Sequence, residues 1–115
     1  MLKIIIASEY SETPGGRFKH EGSFSGQDFR EQLLLPKYKQ ALSNSEPLYI
    51  DLDGGYGYSS SFLEEAFGGL VRTLDLNDSL KMLEILKIKS HDEPRLVSII
   101  KEYIEDAIKL KKVEK

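Results

Sequence analysis

The stretch YIDLDGGYGYSSSFLEE, residues 49–65, decides how this chain is read. An apolar run breaks at Asp51 and Asp53, crosses Gly54, Gly55 and Gly57, and delivers Ser59, Ser60 and Ser61 to a segment with helical spacing. An apolar, β-branched run that ends in a glycine turn predicts a buried strand, here 47–53, with Pro47 at its first position where a missing N–H is tolerated. Ser61 followed by Glu64 predicts a capped helix start, with Phe62, Ala66 and Leu70 as its inward stripe.

Working outward, LKIIIA at 2–7 reads as a second buried strand. The Gly-, Ser- and Pro-rich segment after it is long enough to hold a short strand near Arg17 to His20. Ser25 and Asp28 form another capping pattern before a helix running to about Ala41, which Pro36 should kink or restart. A helical turn is expected from Asp78 to Leu83, a strand from Glu84 to Lys89, and a last amphipathic helix capped by Asp92 with Leu96, Ile100, Tyr103, Ala107 and Ile108 on one face. This alternation predicts one α/β domain over 1–115, with a sheet of about four strands, mostly parallel or mixed, packed with helices.

Composition bounds the function. The chain has 115 residues, 40% apolar and 30% charged, with no cysteine and a formal charge of −3. That length suits one domain. Lack of cysteine excludes disulfides and thiolate metal sites. The acidic balance argues against a nucleic-acid binder that works by phosphate neutralisation. No apolar run approaches a membrane span, and the start is too short in apolar residues for a secretory signal, so a cytoplasmic protein is expected. The basic end KLKKVEK reads as a solvated helix terminus.

Three readings meet at the glycine turn. The first is a cofactor loop, since DLDGGYGYSS resembles the Asp-x-Gly-x-Gly turn with which methyltransferases approach S-adenosylmethionine. The strand that follows ends KIKS, without the acidic residue that would hold a ribose, and the chain is too short for that sheet. No cofactor is therefore expected. The second is a structural turn, with glycines for positive φ and a serine for the cap. One cap needs one serine, and three are present.

The third is a serine switch. The segments GGRF, FSGQDFREQLLLP, YIDLDGG and SSSFLEEAFGGL together resemble a bacterial STAS-like family of unknown function, related in fold to the STAS domains of anti-sigma factor antagonists. In those antagonists a serine at the matching helix start is phosphorylated by a partner kinase of the GHKL ATPase class. The resemblance implies a small STAS-like fold, regulatory protein–protein interaction rather than catalysis, and phosphorylation at Ser59, Ser60 or Ser61. Aligning Phe62 with the antagonists' apolar position favours Ser59, with Ser60 beside it, while the capping pattern favours Ser61. Tyr58 stands where antagonists carry aspartate, and Ser61 replaces their glycine. Glu64 and Glu65 would set negative charge beside a phosphate.

The candidate binding set is Arg17, Ser25, Gly26, Asp51, Asp53, Gly54, Gly55, Tyr56 and Tyr58. Arg17 has two readings: a clamp for a phosphate or carboxylate, which is the basis of an alternative small-ligand or nucleotide-sensing function, or a partner of Asp51 or Asp53 that ties its loop to the sheet. Asp51 and Asp53 share one side of a strand without a third ligand at a motif spacing, so hydrogen bonding to the turn is expected and a metal is not. Tyr56 and Tyr58 are partner anchors or a cover for the sheet end. His20 and His91 sit in no ligand pattern, and no nucleophile elbow supports a hydrolase.

Overall fold

A computed structural model describes residues 1–114. The strands are β1 (Leu2–Ile5), β2 (Leu48–Asp51) and β3 (Leu86–Lys89), arranged β1-β2-β3 with both pairings parallel. The register sets Ile4 beside Ile50 and Ile50 beside Ile88. Among the described residues the sheet therefore has three strands, both pairings parallel, where about four strands in a mostly parallel or mixed sheet were expected. The missing strand is the segment around Arg17. It holds a single 3₁₀ turn, Lys19–Glu21, because Glu21 Oε1 accepts from the N–H groups of Arg17 (2.7 Å) and Phe18 (3.0 Å). A side chain has taken the donors that a strand would offer to a neighbour.

β1 is shorter than 2–7, because the chain turns at Ile6 into one helical turn, α1 (Ile6–Glu9). The helix α2 begins after Ser25 and passes through Gly26–Phe29, a π-turn at Arg30–Leu34 and Leu35–Asn44. The Leu35 N–H donates to Arg30 O five residues back, and Pro36, which has no N–H, follows at once. The ladder thus changes register where proline removes a donor, and the helix continues past it. α3 repeats the arrangement through Ser60–Leu63, a π-turn at Glu64–Gly68 and Gly69–Thr73. Two short helices, α4 (Leu76–Leu80) and α5 (Met82–Ile85), lead into β3, and α6 (Arg95–Val113) closes the domain.

The helices cover one face of the sheet. Leu2, Ile4, Leu48, Ile50 and Leu86 are buried against Phe29, Leu34, Tyr38, Phe62, Phe67, Leu70 and Ile100. Residues between them lie on the other face, where Tyr49, Lys87 and Lys89 are exposed and Lys3 is half-buried, as the two-residue period of a strand requires. The expected inward stripe of α6 is found at Leu96, Ile100, Ala107 and Ile108, with Ile104 in place of the half-buried Tyr103. Its start differs from expectation. Pro94 precedes the first turn, and the Asp92 carboxylate accepts instead from Gly54 N–H (3.2 Å).

Candidate functional site

The β2–α3 turn is built by its own side chains. Asp51 Oδ1 accepts the Asp53 N–H (2.9 Å), and the Asp53 carboxylate accepts the N–H groups of His91 and Asp92 (2.9 Å each) and the Ser90 hydroxyl (3.3 Å). Those donations hold the Asp53 carboxyl below the usual range. Asp51 thus bonds within the turn, Asp53 instead ties the turn to the Ser90–Asp92 segment after β3 rather than to the glycines, and neither meets Arg17. Gly54 and Gly57 take φ of 98° and 117°, which favour glycine. At Gly55 a Cβ would stand 2.9 Å from Glu12 O.

Ser59, and not Ser61, is the helix cap. Its Oγ accepts the Phe62 N–H (3.0 Å) and its hydroxyl donates to Gly15 O (3.0 Å). The capping position lies two residues earlier than the Ser61–Glu64 pattern implied, because Glu64 turns to arginines rather than back to the helix start. Ser60 and Ser61 are exposed. Tyr58 is partly buried, donates its hydroxyl to Leu52 O (2.9 Å) and packs on Phe62. Burial pushes its phenol pKa up. It covers the sheet end, while Tyr56 is 85% exposed. Tyr56, Ser59, Ser60, Arg95 and Tyr103 line one open groove of about 580 Å³ between the turn and α6.

The loop carrying Gly15, Gly16 and Arg17 joins the two helix starts. Gly15 O receives Ser59, Gly16 O accepts the Gly26 N–H (2.9 Å) and Arg17 O accepts the Gln27 N–H (3.0 Å). Ser25 caps α2 by accepting the Asp28 N–H (3.0 Å) and is buried. Gly26 is required by space, since a Cβ there would strike Phe62 O.

Arg17 donates to Glu64 (2.5 Å) and lies 3.4 Å from Glu65, a correction to its expected pairing with Asp51 or Asp53. Arg72 forks onto Glu64 at 2.9 and 3.0 Å. Arg72 and then Arg17 hold the Glu64 carboxyl below its ordinary range, against partial burial that opposes them. Arg30 completes the group by binding Glu65 at 2.6 Å. Two carboxylates are thus enclosed by three guanidiniums. The sequence reading placed Glu64 and Glu65 only as a cap partner and as charge opposing a phosphate, and it missed Arg30 and Arg72 as their partners. The available signal was two acids opening a helix beside Gly68–Gly69.

No group of three possible metal ligands occurs among the described residues. No helix among them is long and apolar enough to cross a membrane. His20 stacks on Phe18, and His91 bonds Asp53 through its backbone.

Comparison with known proteins adds a family. No curated protein and no solved structure matches the chain. The family model described as a STAS-like domain of unknown function (DUF4325) matches residues 25–94, more than half of the chain and including both capped helix starts, and the chain therefore belongs to that family.

Proposed function

We propose that this domain is a regulatory protein-binding module whose docking surface is the β2–α3 turn, switched by phosphorylation of a serine there. One observation carries the reading: Ser60 is exposed on an open groove that it shares with the exposed Tyr56 and with Arg95. Ser59 already uses its hydroxyl twice, and Ser61 does not line that groove. Ser60 is therefore the preferred acceptor.

A phosphate at Ser60 stands in the first turn of α3, where the helix dipole favours negative charge. The opposing charge of Glu64 and Glu65 is offset by Arg17, Arg30 and Arg72. A partner that packs on Tyr56 around a neutral hydroxyl is repelled once about −1.5 to −2 charges and extra bulk arrive. The modifying partner of this proposal is the GHKL-type ATPase kinase that the family resemblance implies. Nucleotide or small-ligand sensing through Arg17 has weaker support, because that guanidinium is engaged by Glu64.

The test is peptide mass spectrometry on tagged protein from its own host, with co-purifying proteins identified in the same sample. A phosphorylated Ser60 peptide and an ATPase-type kinase are expected. Ser60→Glu should abolish capture of that partner while Ser60→Ala preserves it. Equal capture by both, or an unmodified turn under every growth condition, overturns the switch.

A further inference from the structure

α6 separates two grooves. Its Ile99 and Tyr103 face the serine turn, while Val97 and Lys101 line a second groove of about 470 Å³ beside β3. β3 is an outer strand, and β2 is its partner in the sheet. Leu83, Val97 and Ile104 give this second groove apolar walls, and Lys87, Lys89 and Lys101 stand around it. The three lysines are exposed. Among the described residues Lys89 meets Asp51 at 3.6 Å, and no carboxylate lies within 4.0 Å of Lys87 or Lys101. In a chain of formal charge −3, this cluster runs against the overall balance.

We propose that the outer edge of β3 accepts an extended, acidic segment of a partner protein as an added strand. An added strand pairs with the N–H and C=O groups on the outer side of β3, and pockets for alternate side chains set its identity. Residues of the added strand that point to the helix side enter the apolar groove. Those between them lie on the open face with Lys87 and Lys89. The occupant is thus a short run in which apolar and acidic residues alternate. A second copy of this chain does not fit, because pairing through β3 would set lysine rows against each other. A single-stranded nucleic acid would use the lysines but leave the strand edge unpaired.

The probe is a labelled peptide of alternating valine and glutamate, about eight residues long, titrated into the full chain and followed by fluorescence anisotropy. Amide hydrogen exchange is read in parallel. Saturable binding, slowed exchange at Leu86–Lys89, failure of an alternating valine–lysine peptide, and at least about tenfold weaker binding by the K87E/K89E variant are expected. Circular dichroism checks that this variant, altered at two exposed positions, is folded. Absence of binding, equal binding of the lysine peptide, or protection confined to another element overturns the proposal. So does binding of a short oligothymidylate in place of the peptide, or self-association in sedimentation that protects the same amides.

Discussion

Arg30 Nη1, at the start of one π-turn, donates to both the backbone carbonyl (2.7 Å) and the carboxylate Oε2 (2.6 Å) of Glu65, within the other π-turn. The two side chains are only 11% and 10% exposed. The shifted register in each helix therefore lies where α2 meets α3, and the ion pair crosses that contact.

Removing Arg30 leaves a buried carboxylate with only its longer contacts to Arg17 and Arg72. Arg30→Met should cost about 3 kcal/mol in urea unfolding, because a buried charge that loses its closest partner keeps most of its desolvation cost. The double variant Arg30→Met/Glu65→Leu should recover at least half of that loss. A double variant as unstable as the single one would show that shape, not charge, sets the cost.

Gly26→Ala opposes two effects of different sign. Helix propensity alone predicts a gain, at this first helical position, of less than about 1 kcal/mol. A Cβ at this site strikes Phe62 O, however, and a backbone oxygen in a packed helix has nowhere to go. Overpacking of this kind costs about 1–3 kcal/mol, so the net outcome should be destabilising. A raised melting temperature would refute the close approach of α2 and α3.

Acid should weaken the domain through Glu64 and Asp53. Both carboxyls are held below their ordinary values in the folded state, Glu64 chiefly by Arg72 and Arg17 and Asp53 by backbone N–H groups. Their stabilisation is complete above the unfolded values of about 4 and is lost as pH falls through the lower folded values. Glu64→Gln should be less stable than the parent by about 1 kcal/mol at pH near 7, with the gap closing toward about pH 3. Urea midpoints at the two pH values measure it, and a gap independent of pH would remove the electrostatic explanation.

Ser59→Ala should cost about 1 kcal/mol, the usual value of a lost helix cap. It also cuts the hydroxyl's link to Gly15 O, so hydrogen exchange should quicken at the Gly15, Gly26 and Gln27 amides as well as at Phe62. Ser60→Ala should change stability by less than about 0.5 kcal/mol. Comparable losses from both variants would contradict the division between a structural and a free serine.

The short-range features were legible because they repeat locally. The apolar runs of β1, β2 and β3, the positive-φ glycines after β2 and the inward stripe of α6 follow from periodicity and turn chemistry over a few residues. Those patterns do not determine a cap when several serines compete. Ser59 prevailed because Gly15 O was within reach of its hydroxyl and Glu64 was drawn to Arg17 and Arg72.

What the sequence by itself determined is the α/β class, the order of the main strands and helices and the place of the glycine turn, since each depends on neighbours along the chain. Tertiary structure alone decided the three-stranded parallel order, the pairing of Arg17 with Glu64 across 47 residues and that of Arg30 with Glu65 across 35. Charge complementarity lets an arginine pair with any carboxylate it reaches. Only the packing of α2 on α3, close enough to demand Gly26, selects which one.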